Sequence, residues 1–326
     1  MNKFLKGCLA IATAVFAWAS LEVTGSYIFA EGAGPVTILT VRFLIATLLF
    51  GGVILFKKQR TGENLFLVEK QDIKRFWLNG FILAVHLVVY WFAWELLDPN
   101  LPVIYAIFYM YPFILCLISI FYYGEKFSTN RKIALGLGTL GCMFAIELIP
   151  EFSTEALNIK GIALDVAACF TWVAYLLVGQ TLMRKYKPLT IVFYDFLSVF
   201  VYCALLQSPS VIFTELTFSG LLAVTYISIV ASFIAYFCYW TAVKNIGASN
   251  TSVGELGTPI FGVGLGYLFL SMTPSLWQLF GLAMIAGGHF FVDRSNHKKS
   301  MESLDKAKDS MEKNPRSIII YPEGTR

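Results

Sequence analysis

Charge is what this chain has least of: Asp, Glu, Lys and Arg together make up only 14% of its 326 residues. A soluble domain needs roughly a quarter of its residues charged, so the composition excludes the soluble class. Useful cysteine spacing is absent as well. Cys8, Cys116, Cys142, Cys169, Cys203 and Cys238 all sit inside apolar runs and make no CxxC pair, which argues against a disulfide framework or a zinc site. There is no GxxxxGK[ST], so ATP-driven pumping by this chain alone is not expected, and no cofactor or metal is implied. What fills the space is apolar, with 57% of the residues hydrophobic and 16% aromatic.

The apolar residues come in runs of about 20, the length that crosses a hydrocarbon core of about 30 Å. Ten such segments can be drawn: Gly7–Phe29, Pro35–Phe56, Phe76–Leu97, Leu101–Tyr122, Ile133–Ile149, Leu157–Leu182, Leu189–Leu206, Phe218–Val243, Ser249–Phe269 and Leu276–Val292. The runs do not alternate as barrel strands would, and helices satisfy their own backbone, so helices are predicted. The first run, with Ala17-Trp18-Ala19, has the look of a signal peptide. Its partner in the second half argues that it is a retained first helix.

The basic residues fix an orientation. Lys57, Lys58, Arg60, Lys70, Lys74 and Arg75 share one side with Lys126, Arg131, Lys132, Arg184, Lys185, Lys187 and Lys244, and also with Lys3 and Lys6. The other side carries only Lys160. By the positive-inside rule both termini are cytoplasmic, in a multi-pass protein of the inner (cytoplasmic) membrane. The net charge of +4 thus belongs to membrane topology, and no nucleic-acid partner is expected.

The two halves echo one another. Lys6-Gly7, Ala14, Phe16 and Trp18 return at the same spacing as Lys160-Gly161, Ala168, Phe170 and Trp172. Pro35 answers to Pro188, while Pro112 and Gly141 return 147 residues later as Pro259 and Gly288. Five helices is an odd number, so the second copy enters the membrane in the opposite sense, an architecture of secondary transporters. The chain therefore reads as an all-α membrane protein of about ten transmembrane helices in two inverted five-helix repeats. The first covers residues 1–150, the second 151–293, and a basic cytoplasmic tail follows over 294–326.

These residues resemble the EamA-type carriers of the drug/metabolite transporter superfamily over roughly residues 5–292. The resemblance rests on Trp18 and Trp172, on Pro35 with Arg42, and on Pro112 to Glu125 followed by Gly136, Gly138 and Gly141. In the second half Pro259 and Gly288 fit the pattern, but Met272 occupies the acidic position, so Glu125 has no counterpart there. The resemblance implies a carrier with a central cavity; the family's substrates are diverse.

Ionisable side chains inside a bilayer need a reason. Glu255, among Thr251, Ser252, Thr258 and Pro259, marks a polar face, and the proline is expected to open the backbone ladder beside it. Its two readings are a substrate or proton role and a helix–helix hydrogen bond. Substrate-binding candidates beside it are Trp18 and Glu22 (i, i+4), His86 and Tyr90 (i, i+4), Trp172 on one face with Asp165 and Cys169, and Tyr236. Trp91, Trp94 and Trp240, near helix ends, fit an interfacial belt equally well. Structural or gating roles fall to Arg42, Pro112, Glu125, Asp195 and Pro259. Ion pairing with an acidic neighbour is expected for Arg42 and Asp195; a clamp for a carboxylate substrate is the other reading of Arg42.

The tail ends in Pro322-Glu323-Gly324-Thr325-Arg326, which looks like the phosphate-binding PEGTR of glycerolipid acyltransferases. Their HxxxxD is missing: Asp293 lies one residue short of it after His289, and at that spacing after His297 stands Glu302, not an aspartate. Met301, Leu304, Lys308 and Met311 suggest a short amphipathic helix for the inner leaflet. The expected function is secondary transport of a small metabolite, favoured as an amino acid or similar, by alternating access in the lipid bilayer. The alternative is an S-adenosylmethionine- or nucleoside-like metabolite, and a membrane-bound acyltransferase is remote; the chain is not expected to be an enzyme. Glu22, His86 or Glu255 could carry a coupling proton.

Overall fold

A computed structural model describes residues 3–97, 104, 107–123, 129–145, 158–270 and 273–287. Among them all regular structure is helical: α1 (Lys3–Ala30), α2 (Pro35–Thr61), α3 (Lys70–Leu97), α4 (Tyr111–Tyr123), α5 (Thr129–Ala145), α6 (Ile159–Met183) and α7 (Pro188–Leu206). A short α8 (Pro209–Glu215) follows, then α9 (Phe218–Ile246), α10 (Ala248–Glu255), α11 (Thr258–Leu270) and α12 (Leu276–Gly287). Six helices (α1, α2, α3, α6, α7 and α9) are long and apolar enough to cross a membrane.

Local sequence sets the ends. Pro35 and Pro188 occupy first turns, where no backbone donor is needed. Gly62 closes α2 in the left-handed region at φ 72°. The Asn158 side chain accepts from the Lys160 and Gly161 amides at the start of α6.

Polarity is distributed as lipid requires. Leu48, Phe56, Phe121, Phe170, Leu205 and Leu222 stand exposed, while Asn79, His86, Asp165, Asp195, Ser232, Thr251 and Glu255 are buried. Contiguous exposed apolar surface of this kind faces hydrocarbon, not water.

Two of the predicted segments are not continuous helices. In the ninth, α10 ends at Glu255 and α11 begins at Thr258, so the break is the turn Leu256–Gly257 ahead of Pro259. In the fourth, a turn at Tyr109–Met110 precedes α4, with Pro112 its second residue. Each proline therefore starts a half-helix instead of kinking one from inside, because a first-turn position leaves its missing N–H without consequence. Carbonyls near both breaks find thiol donors: Cys169 Sγ reaches Ile107 O at 3.1 Å and Cys142 Sγ reaches Leu256 O at 3.4 Å. Glu125, Gly288, Met272, Glu147, His289 and the tail 294–326 lie outside the described residues.

The closest packing crosses between the halves: α3 lies against α6 and α7, α1 against α9, and α2 against α7. Glycine permits the tightest approaches. A Cβ on Gly281 of α12 would sit 2.4 Å from Ala145 N and 2.5 Å from Gly141 O of α5. One on Gly80 of α3 would meet Ser198 Cβ of α7 at 2.3 Å.

The ends of the bundle are strapped by loops. After α2, Glu63 pairs with Lys187, Glu69 with Lys185, and Lys185 also donates to Asp72 at 2.7 Å. Hydrogen bonds from Lys187 and Lys185 hold Glu63 and Glu69 respectively below the usual carboxylate range, and Asp72 leads in holding Lys185 above its own. Before α2, at that helix's other end, Glu31 accepts from Thr217 at 2.6 Å and Ser219 at 2.7 Å, and Glu215 accepts from the Gly34 amide at 3.1 Å.

Candidate functional site

Between the halves lies a cavity of about 80 Å³. Helix α1 supplies Trp18 to its wall and α2 supplies Arg42; α3 supplies His86 and Tyr90; α6, α9 and α10 supply Trp172, Tyr236 and Glu255. The structure thus gathers six of the seven predicted binding residues. The seventh, Glu22, is on α1, and its side chain lies outside the described residues.

The walls are aromatic and interlocked. Trp18 meets Tyr236 edge-on at 5.5 Å between centroids, and Trp172 lies 4.9 Å from the His86 ring. His86 stacks on Tyr90 at 5.8 Å. Its Nδ1 is 3.0 Å from the Ala168 carbonyl, which can only accept, so the proton is on Nδ1 and Nε2 is left as the acceptor.

Glu255 ends α10 at the break, and the Tyr111 hydroxyl, one residue past the other break, donates to its Oε2. The two discontinuities therefore meet through one buried hydrogen bond. Thr258 donates to the Glu255 carbonyl at 2.7 Å, occupying a group that the broken ladder leaves open. Half-helix ends and freed backbone groups are what transporter sites use to hold polar substrate.

Arg42 is only 1% exposed. The predicted ion pair is not found: among the described residues it has no acidic partner. Instead Nε donates to Ser232 Oγ at 2.6 Å and Nη2 to Ala231 O at 3.4 Å, while Nη1 has no hydrogen-bond partner. The Phe43 and Trp91 rings lie 5.2 and 5.8 Å from its guanidinium carbon.

Asp195, likewise expected in a buried pair, is held by neutral groups among the described residues. It accepts from Asn79 Nδ2 at 2.9 and 3.0 Å and from the Tyr175 hydroxyl at 3.0 Å, and Tyr175 in turn accepts from Trp240 Nε1 at 2.7 Å. That network makes Asp195 and Trp240 parts of the interior, and Trp240 is no belt residue. Trp91 and Trp94, at 1% exposure, are not belt residues either, and both line the cavity. Asp165 is buried with both carboxylate oxygens lacking a hydrogen-bond partner. Pro112 and Pro259 lie at the two breaks.

Sequence reasoning missed Leu21, Leu87, Phe108 and Tyr109 in the wall. Phe108 was findable, since it stands 147 residues before Glu255, the same offset that separates the two prolines. No three His, Cys, Asp or Glu side chains gather as a metal would require among the described residues.

A helical body with lipid-facing apolar surface and a polar, aromatic internal cavity defines a membrane protein of the small-molecule transporter class. The chain belongs to the EamA-like transporter family, whose pattern it matches over residues 5–146 and again over 159–293. An uncharacterized transporter of Archaeoglobus fulgidus is 22% identical over 292 residues, covering 89% of this chain and 99% of that one. A solved crystal structure shares the fold at a TM-score of 0.69 and 19% identity, over 88% of this chain and 96% of the other. Residues 267–326 also match the acyltransferase family. A 1-acyl-sn-glycerol-3-phosphate acyltransferase of Saccharomyces cerevisiae is 37% identical over 46 residues, which is 15% of its length.

Proposed function

We propose that this protein is a secondary carrier that moves a small metabolite, an amino acid or a compound like it, across the inner membrane by alternating access. The observation that carries the reading is a cavity built from both halves, with Trp18, Arg42 and His86 from one and Trp172, Tyr236 and Glu255 from the other. Relative movement of the halves would expose such a site to either side in turn.

The contact pattern supports two inverted repeats within residues 1–150 and 151–293; ten membrane segments with both termini cytoplasmic are part of the same proposal. If α6 answers to α1 and α9 to α3, the α3–α6 contact becomes α9–α1, and α2–α7 maps onto itself. The straps exchange likewise: the loop after α2 meets the loop before α7, and the loop before α2 meets the segment between α7 and α9. A two-fold axis in the membrane plane has this effect.

A small substrate suits the cavity, since pockets for drug-sized ligands run to about 300–1,000 Å³. The buried guanidinium disfavours the cationic alternative, S-adenosylmethionine, because like charge in low dielectric repels strongly. The acyltransferase-like tail adds no catalytic step to this reading, and it includes no HxxxxD. Glu255 and His86 are the cavity groups able to carry a coupling proton; an exchange rate flat from about pH 5.5 to 8 would remove the proton from the mechanism.

Counterflow in proteoliposomes tests the proposal. Vesicles preloaded with unlabelled amino acids, S-adenosylmethionine or nucleosides receive the labelled compound outside. Accumulation specific to an amino-acid preload, lost in Trp172→Ala and unaffected by deletion of residues 315–326, is the expected result. No exchange with any compound, by protein that remains folded, would overturn the carrier reading, and loss of activity on deleting the tail would favour the enzyme.

A further inference from the structure

The middle of α9 departs from the α-helix. Over Ser228–Ile234 it is π-helical, and the Ala235 amide bonds Val230 O and Ser232 O in place of Ala231 O, its ordinary α-helical acceptor. Such a turn is costly and recurs at functional sites. Here the Ala231 carbonyl, which the Ala235 amide does not bond, accepts from Trp18 Nε1 at 3.0 Å and from Arg42 Nη2 at 3.4 Å. One residue on, Ser232 Oγ accepts from Arg42 Nε at 2.6 Å. Two of the three guanidinium nitrogens are thereby fixed, and the third, Nη1, has no hydrogen-bond partner among the described residues although Arg42 is 1% exposed and lines the cavity.

A buried cation without a counter-charge is strongly disfavoured, and a guanidinium binds a planar two-oxygen anion with high directional preference. Among the described residues no carboxylate pairs with Arg42: Glu255 accepts from Tyr111, Asp195 accepts from Asn79 and Tyr175, and Asp165, which has no hydrogen-bond partner, does not line the cavity. We infer that Arg42 Nη1 is the docking point for a carboxylate of the transported molecule, and that the π-helical turn of α9, through Ser232 and Ala231, positions it. This rests on the carrier reading and narrows it to substrates with an unesterified carboxylate. Arg42 touches the substrate; Ser232 is a positioning residue. The aromatic walls then receive the remainder of the molecule.

The test compares amino acids with their own carboxamides, which keep the amine and side chain but lose the anionic charge. Binding to purified full-length protein is read from tryptophan fluorescence, since Trp18, Trp91 and Trp172 line the cavity, and transport is read from counterflow. The wild type is expected to prefer at least one acid over its amide by about 100-fold or more, as sites built around a polar group reject analogues lacking it. Arg42→Gln and Arg42→Lys should collapse that ratio toward one. Ser232→Ala, which keeps the guanidinium, should lower it by about tenfold, the loss of one charge-assisted hydrogen bond. A general folding defect would weaken acid and amide alike, so the ratio separates positioning from stability.

Equal handling of acid and amide by the wild type would overturn the carboxylate site and leave the carrier standing. An unchanged ratio in Ser232→Ala would overturn the role of the π-helical turn. Acid-selective binding without exchange would keep the site and sink the carrier; no binding by any acid of the panel overturns the site as well.

Discussion

At the scale of single residues, the hydrogen bond between Tyr111 and Glu255 is where the two broken helices touch, and its partners are both buried. Removing a donor from a buried carboxylate costs about 1.5–3 kcal/mol. Tyr111→Phe is therefore expected to lower the melting temperature in detergent and to slow exchange, because the lost bond belongs to the cavity. Glu255→Gln keeps an oxygen to accept from Tyr111 and should melt closer to the wild type. Tyr175→Phe makes the contrast: it unbinds Asp195 and Trp240, outside the cavity wall, and should cost similar stability while leaving the substrate preference unchanged. A shift in that preference would place Asp195 in the substrate site. The sequence names Glu255 as polar on an apolar helix; it does not say that a tyrosine 144 residues away would meet it.

Elements are joined here by close backbone approach as much as by side-chain packing. Helices α5 and α12 cross at Gly141 and Gly281, and a methyl added at Gly281 would meet backbone atoms of α5 at 2.4–2.9 Å instead of a side chain able to turn away. Gly281→Ala is thus expected to destabilise by about 1–3 kcal/mol through forced separation of the two helices, measured as a drop in thermal stability. Gly52→Ala on α2, where a Cβ meets nothing within 4 Å, should be tolerated. Retained stability in Gly281→Ala would mean that the α5–α12 contact is not as close as the geometry has it. The element breaks were legible only in part. Pro112 and Pro259 mark their neighbourhood, but proline accommodates itself in a first turn as readily as it kinks a helix. Which of the two occurs depends on the packing of the preceding turn, including the thiols of Cys169 and Cys142 that reach carbonyls near the breaks.

Across the whole molecule, the straps at the two ends differ in chemistry. One is ionic, Glu63 and Glu69 with Lys187 and Lys185; the other joins Glu31 and Glu215 to hydroxyls and a backbone amide. Because the pKa values of Glu63 and Glu69 are lowered in the folded protein, their contribution is present above the ordinary glutamate value of about 4.3 and is lost as pH falls through the depressed values. The ionic strap should therefore hold from neutral pH down through the ordinary glutamate range and open only below it, and high salt should weaken it at neutral pH. Spin labels on the loop after α2 and the loop before α7 would report this as a widening distance distribution. Distances unchanged at low pH and high salt would show that Thr190 and Tyr194, which donate to Leu65 O and Phe66 O, hold these loops without the charges.

By itself the sequence determined the membrane class, the places of the long helices, the family and half of the aromatic wall, because these depend on apolar run length and on residue type within one helix. Only the tertiary structure decided which buried polar groups meet. Arg42 and Asp195 read alike in the sequence, as charges in apolar helices. Arg42 lies against the cavity with Nη1 lacking a partner among the described residues, and Asp195 is satisfied by Asn79 and Tyr175. Helical periodicity cannot separate them, since a partner 116 or 190 residues distant is chosen by how helices of two repeats cross, and a crossing leaves no periodic trace along either chain segment.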